Sequence, residues 1–295
     1  MPHAAMTDTT TAPGGWLGAL ELGLALREGA TRITERRHRG PMLVQRPFYP
    51  EGRRCAHIYL LHPPGGLVGG DRLDCRVRLE ADSHGLITTP AAGKAYRVDA
   101  RGRRQDQHSS ARVGPGAALE WLPQETIAFN GANLDASTHI ALAASARVFG
   151  WDMLCLGRPA AGETFRRGHV RQRLELRREG RPLLLDRGDY EAGGDILQAA
   201  WGLGGQPVLG TLFAHWPQPD RPQPDTDTAL ALARETIAAS GYGGRCGATL
   251  VSGVLLVRCL GADTEAMRHL FIRLWQALRP LVIGRQACPP RIWNT

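Results

Sequence analysis

The sequence predicts a mainly β protein with two α-helices confined to its last third. Three observations carry this. Period-2 alternation of apolar and polar residues dominates from residue 16 to about 215. Gly (36) and Pro (20) interrupt the chain at short intervals, which suits many short elements. Helical spacing of apolar residues appears only after a Pro- and Asp-rich stretch, Pro217 to Asp227.

Leu20, Leu22, Leu24 and Leu26 alternate with Glu21, Gly23, Ala25 and Arg27, the mark of a strand with one buried face. Leu73, Cys75, Val77 and Leu79 alternate with Asp74, Arg76, Arg78 and Glu80. Residues 170–177 repeat the pattern, and runs at 42–44, 58–61, 86–88, 140–142 and 147–156 are further strands. A helix is expected over about 228–240, with Thr226 or Asp227 at its start and Gly241 at its end. Residues 248–260 read as a buried strand. A second helix is expected over about 264–279, capped by Asp263 and stopped by Pro280. Its apolar stripe is Met267, Leu270, Phe271, Leu274 and Leu278, expected to be core or interface. The domain reading is a disordered tail (1–15) and one domain (16–295). That domain comprises a β-rich part (16–216), a connector (217–227) and an α+β part (228–295).

Hydrophobic residues are 43% and charged residues 22% of the 295, which excludes wholesale disorder. No apolar run reaches the ~18 residues of a membrane span. Met1 to Gly15 lack the apolar core of a signal peptide, so the expected location is cytoplasmic. Basic minus acidic residues is 36 − 28, or +8. All basic residues but Lys94 are Arg, scattered in pairs rather than in a stripe, which argues against a nucleic-acid binder. The six cysteines form no Cys-x-x-Cys pair, so neither a disulfide framework nor a closely spaced zinc site is expected.

Gly65, Gly66, Gly69 and Gly70 precede Asp71 and lack the Lys of a phosphate loop, so they read as a turn between strands. Cys55 and His57 are two apart on a strand, with His62 nearby, a weak candidate trio for Ni²⁺ or Zn²⁺. Lys94 is the lone lysine, and Asp152 interrupts an apolar strand, where an unpaired buried carboxylate is costly. An enzyme using Lys94 with Asp71 or Asp152, and a basic nucleic-acid-binding module, are the alternative readings.

Five segments in order then carry a resemblance: Gln45 to Pro50 with Leu60 to Asp71; Thr88 to Tyr96; Glu120 to Gln124; Trp151 to Pro159 with Gly162-Glu163; and Arg279-Pro280 with Pro290 to Trp293. Over residues 16–295 the chain resembles the UreD (UreH) family of urease accessory proteins. The resemblance implies a β-helix-like stack of many short strands with the two helices. It implies a non-enzymatic maturation factor acting with UreF, the GTPase UreG and urease apoprotein in nickel insertion. It implies no tightly bound cofactor and transient passage of Ni²⁺. Asp71, Asp152, Glu163 and Asp186 stand where relatives carry acids, and the resemblance makes them candidates for a polar internal nickel path. Ordinary ion pairing is the competing account, with Arg187 beside Asp186 as the obvious partner. Lys94 and Tyr96 belong to the motif beside the glycine segment, with a Lys94–Asp71 pair as one candidate role. Gly93 replaces the family's usual hydroxyl residue and Ala95 its frequent aromatic.

Overall fold

A computed structural model describes residues 15–217 and 224–294. The expected tail therefore lies outside the described residues except for Gly15, as does most of the connector. In chain order the first strands are β1 (Leu17–Arg27), β2 (Ala30–Arg39), β3 (Leu43–Val44), β4 (Cys55–Leu61), β5 (Arg72–Leu79) and β6 (His84–Thr88). Next come β7 (Gly93–Ala95), β8 (Gln105–Val113), β9 (Ala118–Leu122), β10 (Thr126–Ala128), β11 (Asn133–Leu142) and β12 (Arg147–Arg158). The chain continues through β13 (Glu163–Thr164), β14 (His169–Arg178), β15 (Arg181–Glu191), α1 (Asp195–Gln198) and β16 (Val208–His215). It ends with α2 (Pro224–Ala239), β17 (Arg245–Val251), β18 (Val254–Gly261) and α3 (Thr264–Val282).

From β4 to β14 the chain coils between two sheets. Strands β5, β8, β11 and β14 run parallel in sheet one, while β4, β6, β9 and β12 run parallel in sheet two. Each turn of the coil gives one strand to each sheet, which is the β-helix-like stack. The antiparallel β1–β2 hairpin flanks it on one side, with β1 joining β5 in parallel, and antiparallel strands flank it elsewhere: β15 beside β14, and β16, β18 and β17 in sequence beyond β12.

The two sheets are buried differently. Sheet one packs Leu20, Leu22, Leu24, Val77, Leu79 and Leu176 inward against sheet two. Its outer face carries charged pairs such as Arg72–Asp74, Arg76–Glu21, Arg78–Glu35 and Arg104–Asp106. Sheet two is covered on both faces. Its inner side gives Ile58, Ile87, Leu119 and Val148 to the inter-sheet core. Its other side gives Phe149, Trp151, Leu212 and Val257 to a second core under α2 and α3. This double burial explains the near-continuous apolar runs of β4, β6 and β9.

The Asp263 side chain caps α3, accepting from Glu265 N at 2.8 Å. The expected stop at Pro280 is wrong, because α3 continues to Val282. A proline in the last turn forfeits only one helical hydrogen bond, and Ile283 N and Gly284 N still bond to Arg279 O and Pro280 O. The helix α2 starts at Pro224, earlier than expected, and α1 was not anticipated. Cys246 and Cys259 form a disulfide, contrary to expectation, because the β17–β18 register sets them opposite each other.

A buried ionic cluster binds α3 to sheet two. Arg279 and Glu120 are fully buried. The Arg279 guanidinium donates to Glu120 Oε1 at 2.8 Å and Oε2 at 2.9 Å, and to Glu51 Oε1 at 2.7 Å and Oε2 at 2.9 Å. Trp275 Nε1 donates to Glu120 Oε2 at 2.6 Å, and His84 Nε2 lies 2.7 Å from Glu120 Oε1. His57 Nε2 and Arg285 Nε reach Glu51 at 2.8 and 2.9 Å. Burial alone would raise the Glu120 carboxyl, but hydrogen bonds from His84 and Arg279 overcome it and hold it at about 2. Glu51 is likewise held below the ordinary range despite burial, by His57, Arg279 and Arg285.

Two stability predictions follow from this packing. Leu274 is fully buried, so Leu274→Ala is expected to cost about 2–5 kcal/mol in denaturant unfolding. Arg279→Met removes the guanidinium that bridges Glu51 and Glu120, leaving Arg285 only on Glu51, and is expected to cost about 3–5 kcal/mol at pH 7. Because the folded Glu120 carboxyl is depressed, its contribution is present above the ordinary value of 4.5 and is lost as the pH falls toward about 2. The gap between wild type and Arg279→Met should therefore narrow below pH 4.5. Unfolding curves at pH 7, 4 and 3 measure it, and a gap independent of pH would refute this account of the cluster.

Candidate functional site

Residues paired in register on neighbouring strands share a face and stack in rows. One row on the inner face of sheet two is polar. The register pairs Asp152 on β12 with Thr211 on β16, and Thr211 with Arg258 on β18. Sheet one faces it with Gln107 on β8, Gln172 on β14 and Asp186 on β15. Arg258 Nη2 donates to Asp186 Oδ1 at 2.8 Å, and Thr211 Oγ1 to Asp186 Oδ2 at 3.3 Å.

A cavity of about 200 Å³ lies between the sheets at the inner end of this row. Gln107, Ser109, Thr138, Gln172 and Asp152 contribute to its lining, alongside Leu60, Leu73 and Trp121. Residues 89–94 and His62 border the same space. Asp152 makes no ion pair among the described residues. Burial raises its carboxyl to about 6; a hydrogen bond from Gln172 opposes the rise, and the nearby Asp186 charge adds to it. A carboxylate in that state gains from any cation that enters the cavity.

The four candidate acids do not form one group. Asp152 and Asp186 share the polar row. Asp71 instead organises a turn, accepting from Trp16 N at 2.8 Å and Val68 N at 2.9 Å. Glu163 accepts from Asn130 N at 2.9 Å and from Arg158 Nη2 at 2.7 Å, a loop tie near the surface. Neither Asp71 nor Glu163 lines the cavity. Asp186 does have an arginine partner, but it is Arg258 across the sheets rather than the adjacent Arg187.

The glycine segment and the Lys94–Tyr96 segment do lie together. Leu67 N donates to Lys94 O at 2.7 Å, and Tyr96 N to Leu67 O at 2.9 Å. Gly66 permits this approach, since a Cβ there would lie 2.4 Å from the Tyr96 ring. Gly65 and Gly70 adopt φ of +75° and +95°, and Gly69 packs against Arg103 O and Val98. Lys94 makes no ion pair with Asp71; the two segments are held by main chain and by Gln105. Fully buried Gln105 donates to Leu67 O at 2.7 Å and Tyr96 O at 2.8 Å, and accepts from Asn133 N at 3.0 Å. At Gly93 a Cβ would find ordinary contacts with Thr126 Oγ1 at 3.7 Å and Gln107 Oε1 at 4.0 Å. The hydroxyl absent at this position would thus stand at the polar wall.

The metal trio divides. Cys55 and His57 converge with Glu51 on the helix side of sheet two, and Cys55 also lies near His84 and Glu120. His62 is elsewhere, at the cavity between the sheets. The donors around Cys55 suit a transition metal by type. The Arg279 guanidinium already fills that space, 3.9 Å from Cys55 Sγ and bonded to both carboxylates. A dication there would meet a buried cation, so this is a structural cluster. Burial and the Glu120 and Glu51 charges push the Cys55 thiol well up, away from its metal-binding form.

Glu51, Glu120, Gln105 and Gln172 received no role from the sequence. Glu120 had a usable signal: one carboxylate in the apolar run Ala117 to Leu122, the same signal that singled out Asp152.

Comparison with known proteins places the chain in a family. A family model described as UreD urease accessory protein matches residues 17–294. A urease accessory protein UreD of Alkalilimnicola ehrlichii is 44% identical over 282 residues, covering 95% of this chain and 92% of the relative. The UreD of Dechloromonas aromatica is 42% identical over 283 residues, covering 95% of each chain. The UreD of Pseudomonas entomophila is 41% identical over 295 residues and covers both chains completely. With a family-wide match and relatives of this identity along the whole domain, the chain belongs to the UreD family of urease accessory proteins.

Proposed function

We infer that this protein is a non-enzymatic scaffold for urease maturation that conducts Ni²⁺ through its interior. It acts with UreF, the GTPase UreG and urease apoprotein, in the cytoplasm. The observation that carries the reading is the carboxylate of Asp152, without an ion pair among the described residues, in the wall of a largely apolar cavity that also holds Gln107, Gln172, Ser109 and Thr138, and next in register to Thr211, which reaches Asp186. Nickel is cargo here, so the protein must hold it weakly. Single oxygen donors interleaved with Gln, Ser and Thr suit a hydrated Ni²⁺ that is to be released, whereas a His/Cys cage would retain it. The partner roles rest on family membership, and the missing phosphate loop fits a GTPase on a separate chain. Among the described residues no helix is long and apolar enough to cross a membrane.

Asp152→Ala and Asp186→Ala are expected to lower the nickel content of co-expressed urease while the accessory complex is still recovered. Asp71→Ala and Glu163→Ala are expected to act through loop order, lowering thermal stability before nickel content. Metal analysis and complex recovery on the same preparations test this. Normal nickel in both row variants, or nickel loss only where the complex also falls apart, would leave the row without a transport role.

A further inference from the structure

Three loops close one end of the coil and are fixed to one another. Val98 N donates to Gly131 O at 3.0 Å, and Gly131 N to Arg167 O at 2.7 Å. Asn130 Oδ1 accepts from both Arg166 N and Arg167 N, at 2.9 and 2.8 Å. Asn133 Nδ2 ties down Gly102 O at 2.8 Å. A fourth segment joins through Ala192 N to Gly168 O at 3.0 Å and leads into the compact turn that carries α1 and Trp201.

The side chains on this frame are distinctive. Arg97, Arg101, Arg166 and Arg167 are all exposed. Arg97 lies across Gly131, where a Cβ would be 2.8 Å from its Cγ. Among the described residues, none of these four arginines forms an ion pair with a carboxylate. The contrast with sheet one is sharp, since Arg72, Arg76, Arg78, Arg104, Arg173 and Arg177 there are each matched to an acid. Trp201, 76% exposed, is the most exposed large hydrophobic residue described. Arg and Trp are the residue types that dominate binding energy at protein interfaces.

We propose that this end of the coil is a docking surface for a partner protein that offers a carboxylate-rich segment beside an apolar pocket for the Trp201 indole. Guanidinium forks bind carboxylates bidentately, and fixed loops lose little freedom on binding. A nucleic-acid strand would call for a continuous basic groove with several stacking rings. Here the charges stand on separate loops, at Arg97 and Arg101 and at Arg166 and Arg167, with Trp201 on the turn that follows the Ala192–Gly168 tie. The partner's identity as part of the urease machinery rests on the function proposed above; the chemistry of the surface does not.

Two arms test the surface. In the first, the full chain is titrated with a fluorescent decaglutamate peptide. Arg166→Glu/Arg167→Glu is expected to weaken binding about tenfold, and added salt to weaken wild-type binding, while Arg112→Glu on the outer face of sheet one leaves binding unchanged. In the second, chains co-expressed with urease subunits and accessory partners are recovered by affinity tag. The double variant and Trp201→Ala should each reduce partner recovery about tenfold, with thermal midpoints at the wild-type value. Wild-type recovery by both patch variants overturns the proposal, and so does an equal loss with Arg112→Glu. Patch-dependent capture of a single-stranded DNA of about 20 nucleotides, with normal partner recovery, overturns it as well. If wild-type chain recovers no urease component yet binds the peptide through the patch, the urease reading fails and the surface stands.

Discussion

Sheet two is buried on both faces, and the rest of the molecule is arranged around that constraint. Side chains on a strand alternate between faces, so the central residues of β4, β6, β9 and β12 must enter one of two interiors. Cys55, His57, His84, Glu120 and Trp151 enter the one under α3, while Ile58, Ile87, Trp121 and Asp152 enter the one shared with sheet one. Neither interior offers water freely, so each polar group on this sheet has to be compensated or left with an unfavourable charge.

The two carboxylates of sheet two meet that demand in opposite ways. Glu120 is given a guanidinium, an indole N–H and an imidazole, and its charge becomes part of the attachment of α3. Asp152 is given an amide and a second carboxylate nearby, and its charge stays unfavourable. The first arrangement closes a structure, and the second leaves a place that a cation would improve. A metal entering on the helix side would have to expel Arg279, whose bonds span from Glu51 near the start of the chain to α3 near its end.

Much of this was legible in the sequence where one local rule sufficed. Alternation located β1, β5 and β14, and the Asp263 cap and apolar spacing located α3. What could not be read were contacts set by the stacking of the coil. The pairing of Asp186 with Arg258 spans 72 positions, and only the packing of β15 over β18 creates it. Cys246 and Cys259 look unrelated until the β17–β18 register sets them opposite. The stripe of α3 was ambiguous between core and interface, and Met267, Leu270, Phe271, Leu274 and Leu278 all prove buried within the chain. The exposed indoles lie elsewhere, on Trp16 and Trp201. The role of Gln105 was invisible because glutamine carries no periodic signature. Its importance lies in the three main-chain groups from distant segments that meet at its amide.

Strand register also explains how single polar residues far apart in sequence make a continuous feature. Neighbouring strands are about 4.8 Å apart, so register partners on successive strands form a line across the sheet at that interval. Asp152, Thr211 and Arg258 are such a line, separated by 59 and 47 positions in sequence yet adjacent in register. In the nickel path proposed above, oxygen ligands at that spacing would share a hydrated cation through an intervening water, without any site having to surround it. The line ends at Arg258, a cation, but Asp186 neutralises that end through its ion pair. Charge along the row is therefore balanced at its outer end and unbalanced at Asp152, so the electrostatic preference for a cation is greatest at the cavity wall. Moving that carboxylate one residue back along β12, to position 151, would turn it to the α3 side, against the rings of Phe271 and Trp293.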